Sequence, residues 1–424
     1  MRVLHLTKTA DGAGWAAAQA AELVKLGVEV HVALPSAHGR TVQKWADGGA
    51  LVHIVPTDMP MGRPWAVPAA ISRLRALVSS VRPDIIHSHF LRSTVLLRLA
   101  LGPNHTTPRV YQVAGPLHLE YRFWRSLELS IAGPSDHWIA SSRCVMAHCR
   151  AAGVPEERLH LSYYGMSDNA GPTARTGLLR RRYGIADHMK VVGNANFIYP
   201  PKWYLGQRIG PKAHEDVIDA LGLIIRHRSD VIGVLIGGTF AGSRRYEGSL
   251  RSRANAAGGG RIIMTGYLPS EEIRRMWPDF DVAVHVPTSE NCGGVGEPLL
   301  AAVPTIAARV GGLPEVVVDG ITGKVVGIHD PQELAQAVLS ILENQEHYCG
   351  LARVGRELVR TMFDVQRTAR EVYGIYRHIL DVRYPRPTEF DSLAYLREVV
   401  GPPSSNVHSV SESQESCQIS ESSS

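Results

Sequence analysis

The chain has 424 residues, 44% of them hydrophobic and 20% charged, with a net charge of +5 and a pI near 8.9. That length exceeds what one hydrophobic core usually supports, so two domains are expected, and the ordinary apolar fraction excludes a chain disordered throughout. The mild positive charge suits an anionic small molecule without calling for nucleic acid, and five cysteines without framework spacing (Cys144, Cys149, Cys292, Cys349, Cys417) argue for a reducing compartment rather than a disulfide scaffold.

In chain order, "MRVLHLT" runs from a short apolar strand straight into a glycine loop, with no apolar leader or cleavage site. No stretch has the apolar length of a spanning helix, so a soluble, cytoplasmic protein is expected. "RVLHLT", "VEVHVALP", "LVHIVP", "DIIHSHF", "PRVYQVAG" and "HWIASS" read as six strands, with "WAAAQAAELVKLG" and "AAISRLRALVSSV" among the helices between them. The alternation breaks at the polar "DNAGPTARTGLLRRRYGIADHM" and resumes with "KVVGNANF", "VIGVLIGG", "RIIMTGY", "DVAVHVP", "PTIAA" and "GKVVG". Helices are expected at His214 to Arg226, Ser270 to Trp277, Glu297 to Ala302 and Pro331 to Leu342. Strands alternating with helices predict an α/β chain of two doubly wound parallel sheets, each covered on both faces. The expected divisions are a first Rossmann-like domain over 1–170, a connection over 171–188 and a second Rossmann-like domain over 189–364. Helices over 365–400 return to the first domain, and a low-complexity, disordered tail occupies 401–424.

The stretch Ser289 to Glu297, "SENCGGVGE", concentrates the chemistry. It sets two carboxylates around glycines where an apolar strand gives way to an apolar helix. Glycines let backbone N–H groups approach a ligand, and a helix N-terminus attracts anions. Carboxylates beside such a site repel phosphate and are better suited to accept hydrogen bonds from hydroxyl groups. Phosphate and hydroxyls together describe a nucleotide sugar.

"GAGWAA" from Gly12 has the form of a dinucleotide fingerprint, which places an acidic residue about 20 residues on, at the end of the second strand, to hold a ribose. Here that place reads Ala33-Leu34-Pro35-Ser36, which argues against a dehydrogenase. What remains is a glycine turn whose N–H groups can face phosphates or an acceptor, or a plain strand-to-helix turn. Asp279-Phe280-Asp281 spells the metal-binding Asp-x-Asp of other transferases, yet it opens a strand instead of ending one; His137, Cys144, His148 and Cys149 lack paired zinc spacing. No metal is expected.

The run from Glu290 through Glu297, Ala301-Ala302, Val303-Pro304 and Gly311-Gly312-Leu313-Pro314-Glu315-Val316 resembles the donor-site motif of glycosyltransferase family 4. Glu290 stands one residue closer to Glu297 than in the usual family pattern. The resemblance implies the GT-B fold, two Rossmann-like domains facing a cleft, and a retaining transfer of a sugar from a UDP- or GDP-sugar to a small natural-product or glycan acceptor. It implies Glu297 on the ribose hydroxyls, and Glu290 with the N–H groups near Gly293 and Gly294 on the donor sugar. Lys212 matches the family lysine that meets the departing diphosphate, with Arg208 or Lys202 in the place of the family arginine. Gly12, Ala13 and Gly14 match the family's first glycine loop, Gly237-Gly238 its Gly-x-Gly turn, and Tyr267-Leu268 the segment beside the base. Many members hold a histidine near the reacting sugar where Ala114 stands here, and His118 follows four residues later as a candidate catalytic group. "YYGMSD", Tyr163 to Asp168, resembles the family's hinge segment. "YRFWR", Tyr121 to Arg125, reads as a solvated helix face, a cap on the acceptor site or a membrane contact. The alternatives are a pseudo-glycosyltransferase, another GT-B enzyme of sugar nucleotides, or a binding protein without turnover.

Overall fold

The computed structural model describes residues 1–166, 171–239 and 243–401. The chain divides into two compact units, one of residues 1–168 and 362–391, the other of 169–361 with the segment from 392. Of the tail expected over 401–424, residues 402–424 lie outside the described residues, as do Ser167 and Asp168 of the expected hinge segment.

The first unit is built on seven parallel strands: β1 (Arg2–Leu6), β2 (Glu29–Leu34), β3 (Leu51–Ile54), β4 (Ile85–Ser88), β5 (Arg109–Val113), β6 (Asp136–Ala140) and β7 (Leu159–Leu161), in the order β3-β2-β1-β4-β5-β6-β7. The sequence predicted six. The seventh is three residues long, too short to show a period, and forms because it pairs with β6. β4 and β5 are buried at every position because both faces are covered, as a parallel sheet requires, and they carry buried polar residues such as His87, Ser88, Arg109 and Gln112 among their apolar ones. On one face lies the helix Gly14–Lys25, whose Ala16, Ala17, Ala20 and Leu23 pack with Val372, Ile375 and Tyr376 of the helix Val365–Leu380. On the other, Leu74, Leu77, Val78 and Val81 of the helix Val67–Val81 meet Leu96, Leu97 and Ala100 of the helix Leu91–Leu101.

The second unit has six parallel strands, as expected: β8 (Lys190–Ala195), β9 (Val231–Ile236), β10 (Ile262–Gly266), β11 (Val282–His285), β12 (Thr305–Ala308) and β13 (Lys324–Val326), in the order β10-β9-β8-β11-β12-β13. The segment expected as a connection, 171–188, carries the short helix Leu178–Tyr183. Asp279 pins its start by accepting from the N–H groups of Thr176 (2.9 Å), Gly177 (2.7 Å) and Leu179 (2.9 Å), while Asp281 takes Val191 N–H at 2.8 Å and the guanidinium of Arg175 at 2.6 Å. The two aspartates of the Asp-x-Asp run are thus tied up in holding the chain. Of the segment expected to return to the first domain, Val365–Leu380 packs in the first unit; Ser392–Val400 groups with the second, where Tyr395 hydroxyl lies 3.1 Å from that of Thr361. Among the described residues no helix is long and apolar enough to cross a membrane.

Each sheet reverses its order beside its own first strand, between β1 and β4 and between β8 and β11. Ligands of doubly wound sheets bind beyond the carboxyl ends of the strands at such reversals.

Candidate functional site

The carboxyl ends of β8 and β11 bring together the charged residues that the sequence singled out in the second unit. β8 runs into the long loop that ends at Lys212, and β11 ends at His285, followed by the loop that carries Glu290. Thr288 N–H donates to Pro211 O at 3.0 Å, so the two loops are tied side by side. The far end of the Lys212 loop is held by Tyr246, whose hydroxyl accepts from Gly210 N–H at 3.0 Å and donates to Glu215 at 2.6 Å. The result is an ion pair between Lys212 Nζ and Glu290 Oε2, each side chain about four-fifths buried. Glu290 Oε1 accepts from Asn291 N–H at 3.1 Å, and His285 Nε2 lies 3.4 Å from Glu290 Oε2. Burial opposes charge on Glu290, but the Lys212 charge and the approach of His285 outweigh it and hold the carboxyl well below the usual range.

Two glycines make this corner. A Cβ on Gly294 would stand 2.1 Å from His285 Nε2, and one on Gly311, which has φ +57°, would stand 1.7 Å from Glu290 O. The Gly311-Gly312 loop therefore packs backbone to backbone against residue 290, and Cys292 Sγ approaches Gly312 O at 3.3 Å.

Glu297 sits in the first turn of the helix Gly296–Leu300, which begins one residue earlier than expected and follows a turn at Gly293–Val295. It stops at Leu300 because Ala302 takes a left-handed φ of 56°. Glu297 Oε2 accepts from Trp277 Nε1 at 3.3 Å, and burial raises its pKa above the ordinary value in spite of that bond and of Arg274. The two glutamates are thus set apart electrostatically: Glu290 carries a matched cation and Glu297 does not.

The remaining predicted residues of this unit lie at strand ends or in the long loop. Lys202 is half-buried, and burial lowers its pKa; its backbone N–H donates to Gln207 Oε1 at 2.9 Å. Arg208 is exposed and has no ion pair among the described residues. Gly237 N–H donates to Gly266 O at 3.0 Å, linking the ends of β9 and β10. Tyr267, half exposed, stacks on Phe197 with centroids 6.2 Å apart and planes at 19°. Leu268 turns its side chain into the core with Ile236, Met276 and Trp277.

In the first unit, Gly12, Ala13 and Gly14 form the turn after β1, and Ala13 (φ 61°) caps the helix Gly14–Lys25 with its carbonyl, which accepts from Ala16 N–H at 3.0 Å. Beneath it three buried histidines gather: His5 Nδ1 lies 3.0 Å from His89 Nε2, and His87 Nδ1 pairs with the Tyr376 hydroxyl. Their donor atoms lie within 4.8 Å of one another, but the rings stack, His5 on His89 at 14° and His87 on His89 at 30°. Stacked rings present faces rather than converging lone pairs, and burial holds all three histidines far below the ordinary imidazole range, so they are neutral. His118 lies in the short helix Leu117–Glu120, 3.5 Å from the Tyr111 hydroxyl, its pKa brought down to about 4, chiefly by burial. Tyr164 of the hinge segment donates to Gln112 O at 3.0 Å and packs on Trp15.

Sequence reasoning missed His285 and Trp277. His285 had one visible signal, a histidine closing an otherwise apolar strand just before the motif. Nothing marked Trp277, whose role depends on a bond across the fold.

Residues 15–169 match the family described as Glycosyltransferase Family 4, and residues 203–344 match Glycosyl transferases group 1. The chain belongs to this family of glycosyltransferases. Among curated proteins it is 31% identical over 158 residues to the D-inositol 3-phosphate glycosyltransferase of a Nocardioides species, covering 35% of this chain and 34% of that protein. It is 28% identical over 235 residues to the alpha-D-kanosaminyltransferase of Streptomyces kanamyceticus, covering 54% of this chain and 57% of that one. The chain thus spans about a third to a little over half of these relatives. Among solved structures it is similar to Anabaena HepE in complex with UDP and glucose, with a TM-score of 0.74 at 20% identity, over 89% of this chain and 99% of that one. It is also similar to WaaG, a glycosyltransferase involved in lipopolysaccharide biosynthesis, with a TM-score of 0.65 at 15% identity, over 88% and 99%. At such identities these likenesses establish the fold, which is GT-B as expected.

Proposed function

We propose that the chain is a retaining glycosyltransferase that moves a sugar from a UDP- or GDP-sugar to a hydroxyl or other nucleophile of a small natural-product or glycan acceptor. The observation that carries this reading is the meeting of Lys212 and Glu290 at the carboxyl end of β11, beside a strand-order reversal. Breaking the glycosidic bond leaves growing negative charge on the diphosphate. A positioned ammonium that meets this charge stabilises the transition state more than the ground state. Lys212 has that role, helped by Arg208 or Lys202 from the same loop. Glu290, with the N–H groups near Gly293 and Gly294, holds the donor sugar, and Glu297 accepts from the ribose hydroxyls. Gly237, Tyr267 and Leu268 flank the base, with Tyr267 offering its ring and Leu268 only its backbone.

The anomeric carbon passes through an oxocarbenium-like state, and the acceptor attacks on the face that the diphosphate leaves. The acceptor is held by the first unit, which carries His118, and the N–H groups of the Gly12, Ala13 and Gly14 turn serve the donor phosphates or the acceptor. His118 is neutral at working pH and can accept a hydrogen bond from an acceptor hydroxyl, although burial makes it a weak base. No metal is required, because fixed cations supply the charge. The relative named for D-inositol 3-phosphate supports a small acceptor. Among the described residues Cys144, Cys149, Cys292 and Cys349 form no disulfide, which fits a cytoplasmic setting.

A thermal-shift panel of UDP-, GDP- and ADP-sugars tests the reading, since a ligand that binds only the folded chain raises its melting temperature by mass action. One UDP- or GDP-sugar shifting the midpoint by several degrees, followed by nucleotide release with an acceptor and undiminished by EDTA, is the expected result. Binding without release under any acceptor points to a binding protein. Loss of turnover in EDTA overturns the metal-free mechanism.

A further inference from the structure

His285 is fully buried at the last position of β11, and its Nε2 faces the same Glu290 oxygen that takes the Lys212 ammonium. The ring occupies the space that any side chain at position 294 would need, since a Cβ there would come within 2.2 Å of both Nε2 and Cε1. The titratable groups that face it are Glu290 from the following loop, and Lys212 and His214 from the start of the helix His214–His227. Ala307 of β12 is its register partner, and the one charged residue of β8, Lys190, lies at the other end of the strand against Asp281 at 3.6 Å. The helix Pro331–Glu343, which also packs on β11, turns Leu334, Val338 and Ile341 inward.

This arrangement balances one carboxylate against one ammonium, with a neutral imidazole as bystander. Burial keeps His285 below its ordinary value, the Lys212 charge acts in the same direction, and Glu290 acts in the opposite one. If Lys212 turns its charge to a diphosphate, Glu290 loses its counter-ion inside the protein, and an unpaired buried carboxylate is costly. The diphosphate adds further negative charge. Both changes favour a second cation beside Glu290, and His285, whose Nε2 lies 3.4 Å from Oε2, is a titratable group within reach.

We propose that His285 is a positioning residue that takes up a proton from solvent when a nucleoside diphosphate sugar binds, and that its new N–H holds Glu290 in place while Lys212 serves the diphosphate. The proton adds to a ring nitrogen, and no bond of the donor is broken in this step. The proposal rests on the donor reading above.

Calorimetric titration of the full chain with UDP at neutral pH, repeated in buffers of different ionisation enthalpy, tests it. The apparent heat is expected to change with the buffer's ionisation enthalpy, with a slope of net proton uptake approaching one per UDP. Affinity is expected to strengthen as pH falls, by at most about tenfold per pH unit. His285→Gln keeps an amide donor beside Glu290 and is expected to bind UDP with no uptake and a flat pH profile. Imidazole ¹⁵N resonances of the wild type give a readout without a substitution, with one histidine passing from neutral to charged as UDP is added. UDP binding with zero slope, no histidine changing charge, or uptake retained in folded His285→Gln each overturns the proposal alone. Failure of both UDP and GDP to bind overturns the donor reading and this proposal with it.

Discussion

The two units share one sheet topology and put opposite chemistry at the same place in it. At the reversal in the first unit stand His5, His87 and His89, buried, stacked and neutral, with Trp15 and Tyr164 packed nearby. At the reversal in the second stand an ammonium and a carboxylate in contact. Topology supplies a crevice in both cases, and the residues at the strand ends decide what it can hold. The first unit also buries charge, where Arg98, Glu128, Asp136 and Arg109 form a network, and it sets Lys8, Asp58 and Arg92 in the segments that follow its strands. The contrast is in keeping with the proposed placement of the ionic donor in the second unit.

The largest expected effect tests whether the first unit's charges are structural. Asp136 accepts from Arg98 Nε at 3.0 Å, Arg109 Nη2 at 2.5 Å and Gly133 N–H at 2.6 Å. Asp136→Asn leaves two buried guanidinium groups short of a counter-ion, and denaturant unfolding should show a loss of about 3–5 kcal/mol. A donor KM that moves with the stability would blur the contrast between the units. Next in size, Lys212→Met should lower kcat by about 10²- to 10³-fold in a nucleotide-release assay and should also lower the melting temperature, because it leaves the buried Glu290 without its counter-ion. Glu297→Gln comes third. It weakens a hydrogen-bond acceptor that ribose needs as an anion, and kcat/KM should fall by about ten- to a hundredfold.

Acid separates the units more gently. His5, His118, His137 and His160 of the first unit have pKa values lowered by burial to about 3, 4, 4 and 3, against His214 of the second at about 4. Because the unfolded chain binds these protons near pH 6.5 and the folded chain resists them, stability is fully present above that pH and is lost as pH falls toward 4. Hydrogen exchange at pH 5.5 and 7.5 should show protection falling further in β1, β4 and β6 than in β8 and β11. Equal loss in both units would contradict the assignment. The smallest effect belongs to Trp203, 82% exposed in the Lys212 loop. Trp203→Ala should change stability by no more than about 0.5 kcal/mol.

Much of this contrast was legible in the sequence. Twelve of the thirteen strands among the described residues announced themselves as short runs rich in apolar and β-branched residues between helical patterns. β7 did not, since its three residues take their conformation from β6. The Glu290 loop could be read from its glycines, and Lys212 from the helix that follows it. Their meeting could not, because it depends on Thr288 bonding to Pro211 across 77 residues of chain. His285 stayed hidden for a similar reason: a lone histidine in a strand has no meaning until Gly294 is seen to leave space for its ring. The segment 171–188 looked like a connection because its composition is polar, yet Asp279 folds part of it into a helix.

A double-mutant cycle on kcat/KM with Lys212→Met and Glu290→Gln tests the central claim most directly, with the donor identified by the thermal-shift panel. If the two side chains work as one unit on the donor, the double variant should be little worse than the poorer single variant. Losses that simply add, or full turnover in either single variant, would contradict the account.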